Sequence, residues 1–118
     1  MKHFITWYFK RVPHAFRGIS FAFLNDRSFR WQVLIGFSGI AIVCLLAWPI
    51  SKFDTVLLIS SAVLTLITEI QNTAFEAAID HLHPEQHPNI GRAKDMIAGS
   101  VLLSLVYALA VTIFVLFF

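Results

Sequence analysis

The sequence predicts an all-α membrane protein with three transmembrane helices, preceded by an amphipathic helix on the membrane surface. Of its 118 residues, 58% are hydrophobic and only 14% are charged. In an ordinary soluble domain about a quarter of the residues are charged. The mean hydropathy of +0.74 is correspondingly high. The charged residues also lie mainly outside long apolar runs, which is typical of membrane spans.

Length and composition also limit the organisation and the partners of the chain. A length of 118 residues favours one domain over residues 1–118. The net charge of +2 is too small to predict a nucleic-acid partner. The single cysteine, Cys44, cannot form an internal disulfide. The composition therefore excludes a disordered chain, a secreted disulfide scaffold and a soluble enzyme.

Two of the predicted spans contain long runs without formal charge, at residues 31–50 and 96–118. A helix of the first length measures about 30 Å, which is the thickness of a hydrocarbon core. Trp31 and Trp48 lie at the ends of the first run, and aromatic side chains of this kind prefer the membrane interface. We therefore predict membrane helices over residues 31–50 and 90–118.

The middle span has an acidic end. Residues 53–68 are apolar, but the helical pattern continues until Pro84 stops it. A helix over residues 54–83 would be about 45 Å long, so its last turns should leave the hydrocarbon core.

The first 29 residues are predicted to form the surface helix, because apolar residues recur at three- and four-residue steps opposite basic side chains. Pro13 is expected to kink this helix or to begin a second segment. Two roles remain open for the helix, namely an anchor to anionic lipid and a grip on a lipid substrate.

The orientation follows from the basic residues, which are concentrated on one side of the predicted spans. Lys52 alone lies on the other side. This asymmetry places the N-terminus and the 80–95 loop in the cytoplasm. The residues on the cytoplasmic side are Lys2, Lys10, Arg11, Arg17, Arg27, Arg30, Arg92 and Lys94.

A polar stripe runs along the second span. Glu69, Asn72, Glu76 and Asp80 are spaced by three, four and four residues, so they fall within an arc of about 80° on one helix face. An ionisable group at the centre of a membrane helix costs about 2.5 kcal/mol or more, and such groups usually face a bundle interior or a cavity. The structural alternatives are solvated acids near the helix end and an amide that joins two helices.

This set of residues suits phosphoryl transfer, together with Lys94 and Asp95 at the start of the third span. That reaction needs Mg²⁺ on oxygen ligands, a cation on the phosphates and a group that positions the attacking hydroxyl. Glu69 lies about 10 Å deeper along the helix axis than Glu76. We expect the deeper acid to meet a lipid hydroxyl, and Glu76 to meet the metal and the nucleotide.

Other interpretations have less support. The chain has neither a phosphate-binding P-loop motif nor a kinase glycine loop. His81, His83 and His87 suggest zinc only weakly because no cysteine joins them, so a solvated loop or a nucleotide contact is favoured. A cation-conducting oligomer would need polar groups across the whole bilayer, whereas the acids crowd one side. A structural membrane peptide needs no titratable stripe.

The pattern of these residues resembles the prokaryotic diacylglycerol kinase and undecaprenol kinase family. The resemblance lies in E-I-Q-N-T-A-F-E-A-A-I-D at residues 69–80 and G-R-A-K-D at residues 91–95. Weaker matches are A-F-R-G at residues 15–18 and N-D-R-S-F-R at residues 25–30. The resemblance implies a kinase of the bacterial cytoplasmic (inner) membrane that uses MgATP to phosphorylate a lipid alcohol. It also implies a homotrimer whose active sites are shared between neighbouring subunits.

The resemblance assigns roles to individual positions. Glu69 corresponds to the catalytic base, and Glu76 and Asp26 correspond to the metal ligands. The residues implied to contact the nucleotide are Asp26, Glu76, Glu85, Gln86, His87, Lys94 and Asp95. Those implied as further site or substrate residues are Asn72, Asp80, Arg17 and Arg30. The sequence departs from the family pattern at Asp26, Gln32 and His14, where glutamate, an acid and tyrosine respectively are found in relatives.

The choice of lipid is divided between the two branches of the family. N-T-A at residues 72–74 and P-E at residues 84–85 look more like the undecaprenol kinases. G-R-A-K-D-M at residues 91–96 looks more like the diacylglycerol kinases. We expect undecaprenol to be slightly favoured, with diacylglycerol as the alternative.

Overall fold

A computed structural model describes residues 1–118, with the exception of the side chain of Lys2, one of the residues used above to orient the chain. It contains four helices, α1 (Lys2–Asn25), α2 (Arg27–Leu46), α3 (Lys52–Leu82) and α4 (Pro88–Phe117). None of the described residues belongs to a strand. The all-α prediction is therefore confirmed.

Three of the helices are long and apolar enough to cross a membrane, namely α2, α3 and α4, with 20, 31 and 30 residues. Their outward surfaces carry large hydrophobic side chains such as Phe37, Leu45 and Leu103. Such surfaces are stable next to lipid or next to another apolar helix, and unfavourable in water. The predicted three-span membrane protein is confirmed.

The α1–α2 junction is defined by two polar side chains. Oδ1 of Asp26 accepts hydrogen bonds from the backbone N–H groups of Ser28 (2.8 Å) and Phe29 (3.3 Å), so Asp26 caps the start of α2. The guanidinium of Arg30 donates to the carbonyls of Phe23 and Leu24, each at 3.0 Å, at the end of α1. The first membrane helix consequently begins at Arg27, ahead of the apolar run at residue 31.

The surface helix α1 is continuous through Pro13, so this residue does not begin a second segment. Nearly all of its side chains are exposed. Arg11 lies over the ring of Trp7, with its guanidinium carbon 3.9 Å from the ring centroid. The contact places a cation beside an aromatic side chain, a combination suited to a membrane interface.

The three spans pack together near the ends that lie away from the 83–87 loop. Val43 of α2, Leu58 of α3 and Val111 of α4 form a buried apolar cluster there. Nearer the acidic part of α3, the hydroxyls of Thr68 and Ser104 are hydrogen-bonded at 2.9 Å. This bond fixes α4 against α3 one residue before Glu69.

Candidate active site

The polar stripe of α3 begins inside the helix bundle and ends at its surface. Glu69 is only 4% exposed. Asn72 and Glu76 are half-buried, and Asp80 is exposed. Exposure therefore rises toward the loop, as expected of a helix that leaves an apolar environment. The helical spacing predicts that these side chains share a face, and the packing places the deepest of them inward.

Two oxygen-bearing side chains of the stripe have an oxygen without a hydrogen-bond partner in the described part of the chain. Among the described residues, none forms a hydrogen bond or an ion pair with Glu69. Oδ1 of Asn72 is buried and also lacks a hydrogen-bond partner. Since buried polar groups are normally hydrogen-bonded, such exceptions commonly mark sites that receive a ligand or an ion. The Glu69 carboxylate and the Asn72 amide oxygen are therefore available to bind a ligand or an ion.

Asp26 reaches the polar stripe through a threonine. The hydroxyl of Thr73 donates a hydrogen bond to Oδ2 of Asp26. Thr73 lies four residues after Glu69 and three before Glu76, so its side chain is a neighbour of both on the helix surface. The structure thus brings Asp26 to the segment that carries the predicted base and the other predicted metal ligand. Our sequence reasoning did not assign a role to Thr73, although its helical spacing marks it as part of the same face.

Lys94 joins the beginning of α4 to the shallow end of the stripe. Its Nζ lies 2.6 Å from Oδ1 of Asp80. Glu76 also interacts electrostatically with Lys94. Asp80 therefore holds the ammonium group near the place where α3 and α4 approach the loop, and the Glu76 carboxylate adds a weaker attraction.

The loop between α3 and α4 borders an open cavity of about 660 Å³. His87 caps α4, because its Nδ1 accepts a hydrogen bond of 3.2 Å from the backbone N–H of Asn89. The cavity collects four of the predicted nucleotide contacts. Its lining consists of Asp80, His83, Pro84, Glu85, Gln86, His87, Pro88, Ile90, Gly91 and Lys94.

Glu85 is the acidic residue of this loop. Hydrogen bonding to its own backbone N–H, assisted by the His83 ring 3.2 Å away, holds the pKa of the Glu85 carboxyl below its usual value. The group is exposed and ionised at neutral pH. It therefore places a negative charge on the wall of the cavity that Lys94 also lines.

Three of the predicted site residues neither line the open cavity nor form a hydrogen bond or an ion pair with the stripe. Arg17 is exposed on α1 and hydrogen-bonded to Nδ1 of His14 at 2.5 Å. The guanidinium of Arg30 is engaged by the carbonyls at the end of α1. Asp95 is exposed and does not line the open cavity. The site roles of these three residues stay predictions that no contact with the rest of the site supports.

The oxygen groups around Thr73 fit Mg²⁺ if the ion is shared with a bound phosphate. No three histidine, cysteine or carboxylate side chains in the described part of the chain form a ready-made metal site. Mg²⁺, however, is usually bound by one or two carboxylates together with waters and substrate phosphates. Asp26 and Glu76 are the carboxylates that would serve this purpose, and the unpartnered Oδ1 of Asn72 would add a neutral oxygen.

A second cavity, of about 440 Å³, lies on the membrane side of Glu69 among α2, α3 and α4. Gly39, Thr65 and Leu109 are among its lining residues. The Thr65 hydroxyl donates to the carbonyl of Ala62 in its own helix, at 2.7 Å. The cavity therefore presents a mainly apolar wall. Thr65 precedes Glu69 by about one helical turn, so the polar stripe lies between this apolar cavity and the open cavity at the loop.

Comparison with known proteins relates this arrangement to one family. The family model for prokaryotic diacylglycerol kinase matches residues 13–116. The diacylglycerol kinase of Escherichia coli (strain K12) is 35% identical over 99 residues, which cover 84% of this chain and 80% of that protein. The diacylglycerol kinase of Haemophilus influenzae is 30% identical over 101 residues, with 86% and 84% covered. That of Helicobacter pylori is 28% identical over 99 residues, with 84% and 76% covered. The matched range includes the whole polar stripe and the loop that follows it.

Proposed function

Because the chain belongs to the prokaryotic diacylglycerol kinase family and is an ATP-dependent lipid kinase, we propose that it phosphorylates diacylglycerol at the cytoplasmic face of the bacterial inner membrane. The reaction transfers the γ-phosphate of MgATP to the free hydroxyl of the lipid. A phosphorus–oxygen bond to the lipid forms, and the bond to the β-phosphate oxygen breaks and releases ADP.

The observation that carries this proposal is the position of the polar stripe between two unlike cavities. On one side of Glu69 lies the apolar cavity among the membrane helices. On the other side lie Asp80, Lys94 and the open cavity at the loop. A kinase that joins a membrane-dissolved alcohol to a water-soluble nucleotide needs access from both phases. The stripe therefore offers a place where the two substrates can meet.

We assign the role of general base to Glu69. Its burial and its lack of partners among the described residues support this role, because a carboxylate that is not paired with a cation is free to accept the lipid hydroxyl proton. Removing this proton as the oxygen attacks phosphorus prevents the accumulation of a positively charged product oxygen. Water is largely excluded at this depth, which favours the lipid hydroxyl over water as the acceptor.

The shallower residues are assigned to the nucleotide. Asp26, Asn72 and Glu76 would hold Mg²⁺, which supplies neutralisation of charge on the transferring phosphoryl group. Lys94 contributes a second positive charge, and Asp80 keeps its ammonium group at the cavity. Glu85, Gln86 and His87 line the same cavity. Asp95 is proposed as a further contact of the nucleotide.

The acceptor is proposed to be diacylglycerol because the relatives that match most of the chain are named for that activity. Undecaprenol, which the motifs at residues 72–74 and 84–85 slightly favour, stays the competing prediction. Both lipids present a primary hydroxyl near the membrane surface, so the same carboxylates would serve either of them. The discrimination between them would depend on the apolar surroundings of the hydroxyl.

Assembly as a homotrimer with shared active sites is also part of the proposal. The large apolar side chains on the outer faces of α2, α3 and α4 support helix packing between subunits. Small residues such as Ser60 on the exposed side of α3 would permit close approach. Crosslinking of the purified protein in bilayers, followed by mass measurement, tests the subunit number.

The decisive experiment offers both lipid alcohols to the purified protein in bilayers with γ-labelled ATP, with and without Mg²⁺. We expect labelled phosphatidic acid to predominate and to require Mg²⁺. Labelling of undecaprenyl phosphate alone would overturn the proposed acceptor. If neither lipid were labelled, lipid phosphorylation itself would be rejected.

A further inference from the structure

We propose that Thr73 is a positioning residue that holds the Asp26 carboxylate against the polar stripe of α3, in the orientation needed for metal and nucleotide binding. The effect of this positioning on metal and nucleotide binding rests on the proposed function. Its physical basis is the hydrogen bond from the Thr73 hydroxyl to Oδ2 of Asp26. This bond connects residues 47 apart in the chain.

The two oxygens of Asp26 have different partners. Oδ1 accepts from the N–H groups of Ser28 and Phe29 and so belongs to the start of α2. Oδ2 accepts the hydrogen bond from Thr73 of α3. The carboxylate is therefore held from two directions, by two backbone N–H groups of α2 and one hydroxyl of α3, and these bonds together fix its rotation. Since a hydrogen bond to one lone pair of Oδ2 leaves another lone pair, the oxygen can still accept a cation.

The location of Thr73 makes this contact relevant to the site. Its neighbours on the helix face are Glu69 and Glu76, one turn away on either side. Asp26 is itself the single residue between α1 and α2, and the cap that its Oδ1 makes leaves Oδ2 without a partner in either of these helices. The Thr73 hydroxyl, on the surface of α3, binds this second oxygen and directs it toward the polar stripe. Thr73 acts through Asp26 and is not assigned a contact with either substrate.

The matched substitutions separate the hydroxyl from the shape of the side chain. Thr73→Val keeps the branched shape and removes the hydroxyl, whereas Thr73→Ser keeps the hydroxyl and removes a methyl group. Thr55→Val is the control at the other end of α3. The Thr55 hydroxyl also donates a hydrogen bond, to the carbonyl of Ser51 at 2.9 Å, but it lies far from the polar stripe.

The principal measurement is binding of Mn²⁺, followed by electron paramagnetic resonance, to the purified full-length protein in bilayers with a non-hydrolysable ATP analogue. We expect Thr73→Val to weaken Mn²⁺ binding by roughly tenfold, the effect of losing one hydrogen bond to a charged group. Thr73→Ser and Thr55→Val should bind Mn²⁺ like the unmodified protein. In kinetic assays, Thr73→Val should raise the Mg²⁺ concentration for half-maximal rate while the KM for lipid is unchanged.

A double-mutant comparison tests whether the effect passes through Asp26. In an Asp26→Asn background, Thr73→Val should cause much less than its usual loss of Mn²⁺ affinity, because the carboxylate that it positions is gone. Equal losses in both backgrounds would overturn the proposed route through Asp26. If Thr73→Val does not fold, Thr73→Ala replaces it in both backgrounds.

The remaining outcomes separate this inference from the proposed function. Unchanged Mn²⁺ binding in Thr73→Val, or an equal loss in Thr73→Ser, would overturn the positioning role and leave lipid phosphorylation intact. Weakened Mn²⁺ binding in a protein that phosphorylates no lipid would support the positioning role and reject the proposed function.

Discussion

Nζ of Lys94 lies 2.6 Å from Oδ1 of Asp80, and this ion pair joins the first turns of α4 to the last turns of α3. Both side chains line the open cavity beside the 83–87 loop. Asp80 is more exposed than its partner, so the attraction between the two groups is screened by water and contributes little to stability. The pair instead restrains a flexible lysine side chain at the cavity in which we propose that the nucleotide binds.

Replacing Lys94 should therefore weaken nucleotide binding more than it destabilises the fold. We expect Lys94→Gln to raise the KM for MgATP by roughly tenfold or more, because a charge-assisted contact with phosphate is lost. The KM is measured at saturating lipid. Lys52→Gln, at the other end of α3, is the control and should leave the KM unchanged. An unaltered KM in Lys94→Gln would exclude Lys94 from the nucleotide site.

Replacing Glu69 should abolish turnover. Glu69→Gln keeps the size of the side chain and removes its ability to accept a proton, so we expect the rate to fall by about 10²–10⁴-fold. Phosphorylation of lipid is measured by transfer of labelled phosphate, and assembly by size-exclusion chromatography. Asp54→Asn, in the first turn of α3, is the control. A Glu69→Gln protein with substantial activity would remove Glu69 from the role of base.

Glu76 should affect the response to magnesium. Glu76→Gln replaces a charged metal ligand by a neutral one, so we expect the Mg²⁺ concentration for half-maximal rate to rise by roughly tenfold or more. The measurement is a Mg²⁺ titration at fixed ATP and lipid. A titration that coincides with that of the unmodified protein would contradict the proposed ligand role.

The positions of the site residues along α3 could be predicted from the sequence, because they depend on the periodicity of a single helix. Spacing alone placed Glu69, Asn72, Glu76 and Asp80 on one face, and the cost of a charge in a bilayer indicated that the deepest acid faces the bundle. In the structure Glu69 is buried, as this reasoning predicts. The four helices and three spans followed in the same way from apolar runs and helix-stopping residues.

The contacts between segments that are distant in the sequence could not be predicted in this way. The bond between Thr73 and Asp26 depends on how the α1–α2 junction packs against α3, and no local pattern encodes that packing. Arg30 illustrates the same difficulty, since its charge suggested a ligand contact while its guanidinium binds the end of α1. The start of α2 also depends on the cap made by Asp26, which apolar run lengths do not reveal.

Filling the apolar cavity should affect the lipid and leave the nucleotide unaffected. Gly39 lines this cavity, and a Cβ atom added there would meet no other atom within 4 Å, so a larger side chain can enter the space. If the lipid approaches Glu69 from this side, Gly39→Leu should raise the KM for diacylglycerol by several-fold at an unchanged KM for MgATP. Gly18→Leu on the surface helix is the control, since its added Cβ is also unobstructed but lies outside the cavity. Equal KM values for diacylglycerol in Gly39→Leu and the unmodified protein would show that the lipid reaches Glu69 by another route.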